Sequence, residues 1–299
     1  MGMQQLFTLY IFPLVLMFLM FGLGLSLTGT DFTRVMRTPR PAIVGIMGHA
    51  LLLPLVAFVV LSLWNFPPLI AGGLIILAAC PGGVTSNTLV YAGRGDVALA
   101  VSLTAISSVV TVFTIPLVVG FGLEHFAGMA TNVQLGFIDT LTRLGTVVLL
   151  PMFTGMAVRR FFPGFAIPLE EHIRKASAYI LGALIFASGI MAIGGSGSAA
   201  NDLLYATAAV LMLLAGVISA AYAVCALARL DTIRTMTVVI ETGVQNAVTA
   251  FLIGGTILKQ PGFILTPAVY GFWMFASAGL VILLSRKRIS QAKADGAPS

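Results

Sequence analysis

Charge is scarce in this 299-residue chain: Asp, Glu, Lys and Arg together make up 9% of it, against 59% apolar residues. With a mean hydropathy of +1.05, the composition excludes an ordinary soluble domain and implies an integral membrane protein built of helices. Cysteine is nearly absent. Cys80 and Cys225 both sit in apolar surroundings, which excludes a disulfide framework and marks them as small buried hydrophobes. Histidine is almost as rare, and His125 and His172 show no metal-ligand spacing with cysteines or acids. Paired carboxylates and a Ser/His/Asp spacing are also missing, which argues against an enzyme. No loop on the basic side exceeds about 18 residues, too few for a soluble signalling domain. No Lys or Arg precedes the first apolar segment, 6–27, which is longer than a signal-peptide core and is expected to span the bilayer.

What the chain does have is long apolar runs. They fall at 6–27, 42–62, 68–91, 97–120, 136–157, 176–194, 202–227, 234–257 and 262–285, each near the ~20 residues that cross a bilayer. The expected fold is an all-α polytopic membrane protein of nine transmembrane helices. If the first loop, "DFTRVMRTPRP", faces the cytoplasm, the inner loops hold 14 of the 16 Lys and Arg residues and the outer loops only Lys259. That asymmetry places the N-terminus outside and the C-terminus in the cytoplasm, as a multi-pass protein of the inner (plasma) membrane. The remaining cation, Arg143, stands four residues after Asp139 and is expected to pair with it. The high pI is therefore a topology signal and implies no nucleic-acid partner; residues 286–299 read as a basic cytoplasmic tail with a disordered end.

Two of the runs are broken. "CPGGVTSN" (80–87) interrupts the third and "ETGVQN" (241–246) the eighth; both breaks carry Gly and both end on Asn, at Asn87 and Asn246. The two helices run in opposite directions, so matched breaks predict an inverted-topology repeat with a transporter binding site at its centre. Pro81 removes a backbone donor, and Gly82 and Gly83 permit non-helical dihedrals. Freed carbonyls, the hydroxyls of Thr85 and Ser86 and the Asn87 amide would then supply hard oxygen ligands suited to an alkali cation. Glu241 is the one acidic residue near the middle of any run, and no Lys or Arg stands at its depth. A charge there costs about 2.5–3.5 kcal/mol on insertion scales, so Glu241 is either protonated or matched by a bound cation. His49, in the second run, is either a packing residue or a second proton carrier.

The segment "CPGGVTSNTLVYAGRGDVALAVSLT" (80–104) resembles the first crossover of the bile acid:sodium symporter family, a CPGGTxSN-type motif followed by ARGxxALS. "IETGVQNAV" (240–248) is similar to that family's second crossover. The resemblance runs through most of the chain and implies a nine-helix, bacterial-type symporter working by alternating access. It implies a panel of the runs 6–27, 136–157 and 176–194, and a core of 42–120 and 202–285. It further implies sodium as the coupling ion with no other cofactor, and a small organic anion such as a bile-acid-like carboxylate as substrate. A first sodium would be held by Ser86, Asn87, Thr104 and Glu241. A second would be held by Glu241, Gln245 and carbonyls near Thr242 and Val244, with His49 where the family commonly has Gln. The substrate would meet Asn246, Val84, Thr85 and Met274. Ala100 and Val84 stand where the family often has Ser and Thr, so one ion ligand is lost and the pocket is more apolar. A proton-coupled carrier or uniporter using Glu241 and His49 is the alternative on the same fold.

Overall fold

The computed structural model describes residues 3–37, 39–126, 128, 136–194 and 199–294, and among them the chain is helical with one isolated β-bridge. Among the described residues, six helices are long and apolar enough to cross a membrane: α1 (Phe7–Ser26), α3 (Pro39–Leu63), α6 (Val97–Phe126), α7 (Phe137–Phe161), a stretch Ala200–Leu227 within α9 (Ala199–Leu227), and Pro261–Ser290. The last comprises a 3₁₀ turn, Pro261–Ile264, and most of α12 (Leu265–Ala294). Between them lie the amphipathic α2 (Gly29–Arg37), the long α8 (Pro163–Gly194), and two pairs of short helices. The pairs are α4 (Pro68–Ala79) with α5 (Val84–Gly93), and α10 (Thr232–Gly243) with α11 (Ala247–Ile257).

Prolines shape these helices in two ways. Pro39, Pro68 and Pro163 open α3, α4 and α8, where the missing N–H has no partner to lose. Pro13, Pro54 and Pro151 instead lie inside helices, each just after a π-helical turn (Phe7–Ile11, Gly48–Leu52 and Gly145–Leu149). A proline ring clashes with the carbonyl four residues back, and the wider turn relieves that clash without ending the helix.

The structure extends the apolar runs beyond their expected ends. Helix α8 begins at Pro163 rather than near 176, carried outward by pairs one turn apart: Arg174 with Glu170 at 3.5 Å and Lys175 with Glu171 at 2.7 Å. Helix α12 continues through Ala294, so the first part of the expected tail is helical; residues 295–299 lie outside the described residues. The Asp139–Arg143 pair does not form. Both side chains are exposed on α7, where solvation competes and such a pair contributes little.

Helices α1, α7 and α8 pack together, while α12 packs against α4, α8, α9 and α10. At the α1–α7 contact the backbones meet almost directly: a Cβ on Gly24 would strike the Met152 carbonyl, and one on Gly155 the Phe21 carbonyl. A continuous hydrophobic core, with Phe12, Phe251, Phe263 and Tyr270 fully buried, surrounds the place where α4–α5 and α10–α11 cross.

Candidate functional site at the helix crossing

The two interruptions meet. Gly82 and Gln245 form an antiparallel bridge, in which the Gly83 N–H donates to the Val244 carbonyl at 3.0 Å and the Asn246 N–H to the Pro81 carbonyl at 2.9 Å. Each break thus satisfies backbone groups that the other has freed, which is how non-helical chain persists where water is excluded. Both breaks are shorter than the sequence suggests. Helix α5 resumes at Val84, so Thr85, Ser86 and Asn87 lie in its first turn, and α10 runs on through Glu241, Thr242 and Gly243. Only Val244 and Gln245 are non-helical there before Asn246 caps α11. A Tyr270 hydroxyl from α12 donates to the Gly243 carbonyl at 2.8 Å, and the Gln245 amide to that of Thr242 at 2.7 Å.

The glycines serve space rather than unusual dihedrals, because neither Gly82 nor Gly83 has positive φ. A Cβ on Gly82 would lie 3.1 Å from His49 Cε1 and 3.4 Å from Glu241 Oε2, and one on Gly83 would lie 3.1 Å from the Gln245 carbonyl oxygen. Small residues let three segments close on one carboxylate.

That carboxylate is fully buried. Ser86 Oγ donates to Glu241 Oε1 at 2.5 Å and Thr104 Oγ1 to Oε2 at 2.8 Å. Each hydroxyl has one proton and other claimants: Ser86 Oγ also lies 2.6 Å from the Gly83 carbonyl, and Thr104 Oγ1 lies 3.0 Å from that of Ala100 and 3.4 Å from Asn87 Oδ1. Oxygen acceptors outnumber protons, and no cationic side chain among the described residues is within ion-pair distance of Glu241. Such a cluster matches a cation or an added proton.

Around it stand further bare polar atoms. His49 is buried, and neither ring nitrogen meets a hydrogen-bond partner of good geometry, although Gln245 approaches it; Gln245 Oε1 and Asn246 Nδ2 are likewise buried and unpartnered. The structure therefore brings Ser86, Asn87, Thr104 and Glu241 into one cluster, with His49, Thr242, Val244 and Gln245 at its flank. Met274 is elsewhere: it is fully buried in the hydrophobic core and lines neither of the two spaces that reach the crossing.

The larger of these spaces is a crevice of about 410 Å³, with α1, α7 and α8 on one side and α5 and the start of α6 on the other. Val84, Asn87 and Thr88 face it from α5. Beyond it a void of about 20 Å³ lies against Thr85, Gln245 and Asn246, and the two spaces share Val84 and Ser177. The void holds no more than a water. Sequence reasoning missed Tyr270, for which a buried phenol seeking a partner was the available signal. It also missed Arg159 and Arg174 in the crevice, because basic residues at helix ends read as topology markers.

Asn246 has a structural duty as well, since its Oδ1 accepts the Thr249 N–H at 3.1 Å and caps α11. Asn246→Ala is expected to cost about 1 kcal/mol, and Asn246→Ser, which keeps a capping oxygen, much less. Thermal unfolding of the purified variants checks this; equal losses would show that the cap is not what Asn246 contributes.

Residues 13–199, more than half of the chain, match the family described as the Sodium Bile acid symporter family. The chain is 31% identical over 232 residues to the "Probable sodium/metabolite cotransporter BASS1, chloroplastic" of Arabidopsis thaliana, covering 77% of this chain and 55% of that protein. It is 33% identical over 144 residues to the "Uncharacterized sodium-dependent transporter YocS" of Bacillus subtilis, covering 48% and 43%. It is 22% identical over 277 residues to the "Sodium-dependent organic anion transporter" of Bos taurus, covering 87% and 70%. The chain spans about half the length of the plant and bacterial relatives. By this match and by its apolar helices, the chain is a multi-pass membrane protein and belongs to the sodium bile acid symporter family.

Proposed function

We propose that this chain is a secondary active transporter that carries an organic anion together with sodium by alternating access. The observation that carries the reading is Glu241: fully buried, without a cationic partner among the described residues, and set against Ser86 and Thr104 where two broken helices cross. Oxygen-rich crossings of half-helices suit alkali cations, and their N-termini suit anions. The relatives named as sodium-dependent or as sodium/metabolite cotransporters support the same coupling.

In this reading a first sodium binds Ser86, Asn87, Thr104 and Glu241. A second binds Glu241 with Gln245 Oε1, His49 and the carbonyls of Thr242 and Val244, each of which keeps a free lone pair. The substrate meets Val84, Thr85 and Asn246. The two broken helices and α8, added to the six long apolar helices, make nine spans related by an inverted repeat. Helices α1, α7 and α8 form the panel, and α3–α6 with α9–α12 form the core that rocks against it. The N-terminus lies outside the plasma membrane and the C-terminus in the cytoplasm, so the crevice opens inward. Sodium neutralises Glu241 and stiffens the crossing, and by linkage ion and substrate raise each other's affinity equally.

The bare nitrogens of His49 favour one second reading, in which a proton replaces an ion at this place. Thermal stability of the purified protein in sodium against potassium, at pH 6 and pH 8, separates the two. A sodium-specific rise at pH 8 supports symport, because a ligand that binds only the folded state raises its stability. No sodium response at either pH, with uptake that follows a pH gradient, selects the proton-coupled carrier.

A further inference from the structure

A second groove, of about 220 Å³, shares no lining residue with the crevice and lies between α3, α9 and α10. Val44, Met47, Leu51 and Leu55 follow one face of α3 and form one wall; Val224 of α9 and Val238 of α10 stand across from them. Met47, Leu51 and Leu55 are exposed, and both α3 and α9 are long and apolar enough to cross a membrane, so the groove opens to hydrocarbon. Thr242 is the single polar side chain among the lining residues, and its hydroxyl already donates to the Val238 carbonyl at 2.8 Å. The groove therefore offers a polar solute nothing and an alkyl chain a continuous apolar bed.

One end of the groove is basic. Val44 lies near the start of α3, Val224 near the end of α9 and Val238 in the first half of α10, so these three helix ends converge. Arg40 precedes Val44 by four residues and Arg234 precedes Val238 by four, which sets both arginines one turn beyond the groove on the faces that line it. Helical side chains tilt toward the N-terminus, so from α3 and α10 both reach away from the hydrocarbon toward headgroup level. Arg229 is exposed just past the end of α9. Arg234 keeps Asp231 at 3.3 Å, whereas Arg40 and Arg229 have no ion-pair partner among the described residues. We propose that this groove binds an anionic phospholipid, its phosphate held by Arg40 with Arg229 and Arg234 and one acyl chain laid along α3 toward Leu55. The charge at one end selects this occupant, because a guanidinium fork matches phosphate and basic pockets between membrane helices take anionic headgroups. The chain covers the close approach of Gly48 to Thr242, and the seated lipid holds α3, α9 and α10 together beside the crossing. The site goes beyond the transport reading and does not depend on it.

The test reads thermal shifts of the full chain in detergent as dioctanoylphosphatidylglycerol or dioctanoylphosphatidylcholine is added below its micellar concentration. The two lipids share tails and differ in headgroup charge. Wild type is expected to bind the glycerol lipid about tenfold more tightly than the choline lipid, and glycerol phosphate, which has no tails, should give no shift. The preference should vanish in the double variant Arg40→Gln/Arg234→Gln and persist in Arg160→Gln, whose arginine is exposed at the end of α7. Leu51→Trp, which fills the groove, should weaken both lipids several-fold. Midpoints without lipid report that the variants are folded, and Arg40→Gln alone, at an exposed position, tests the headgroup contact if the double variant is not. Equal binding of the two lipids, a preference that survives the arginine substitutions or is lost equally in Arg160→Gln, or a Leu51→Trp protein that binds as wild type does overturns the site. So does a shift from glycerol phosphate as large as that from the lipid. A chain that is dimeric by light scattering and indifferent to both lipids also overturns it and gives the groove to a second copy.

Discussion

Glu241→Gln is expected to abolish the sodium-specific stabilisation of the protein while leaving its stability in potassium equal to wild type or higher. The substitution keeps shape and volume and removes the charge. In wild type without sodium, the carboxylate is buried beside two hydroxyls whose protons are contested by the Gly83 and Ala100 carbonyls. That arrangement carries an unbalanced charge or forces protonation, and either is costly in a site closed to water. A glutamine amide adds donors to a cluster short of them, so the resting protein loses nothing. What it cannot do is balance a cation. At sodium one hundredfold above its dissociation constant, wild type gains about 2.7 kcal/mol that the variant lacks. Uptake driven by a sodium gradient should fall with it. A variant that still responds to sodium as wild type does would falsify the assignment of Glu241 to the ion site, whatever its effect on transport.

The second large effect is expected in the helix packing beside the crevice, from Gly155→Val. Here α7 lies so close to α1 that the reciprocal glycines, Gly24 and Gly155, each face a backbone carbonyl of the other helix. A side chain at either position forces the helices apart, because a backbone carbonyl cannot rotate out of the way as a side chain does. Overpacking of this kind costs about 3 kcal/mol and more when backbone must move. In a bilayer, close packing is itself a main source of helix association, since lipid is as apolar as the side chains. Gly145→Ala, in the same helix with open space around its Cβ, is the control and should be neutral or slightly stabilising. Thermal unfolding of the two variants in one detergent decides the matter; similar midpoints would mean that the α1–α7 contact yields more readily than its geometry implies.

The two positions differ in how legible they are in the sequence. Glu241 stands out there, because a lone acid in the middle of an apolar run must be either protonated or matched by a cation. Gly155 does not, since a helical glycine is ambiguous until the facing helix is known. The same contrast runs through the crossing. Hydropathy and the Pro-Gly-Gly and Glu-x-Gly interruptions locate two broken helices, but the breaks are narrower than those residues suggest. Helix α10 continues past Glu241 and α5 begins before Ser86, so these side chains project from helical turns rather than from open chain. Backbone pairing between the breaks lets the helices continue this far, and that pairing is a property of two segments more than 160 residues apart.

The sequence alone determined the membrane class, the places where apolar helices run, the two interruptions and the isolated Glu241. Each follows from a local rule that lipid enforces: about twenty apolar residues to cross, and no unpaired polar group without cause. The tertiary structure alone decided which groups meet. Ser86 and Thr104 reach Glu241 across 155 and 137 residues of chain, Tyr270 reaches the end of α10, and Arg159 from α7 and Arg174 from α8 line one crevice. No periodicity encodes those meetings. They follow from how helices of fixed length and shape pack around one another, with small residues at the contacts allowing the approach.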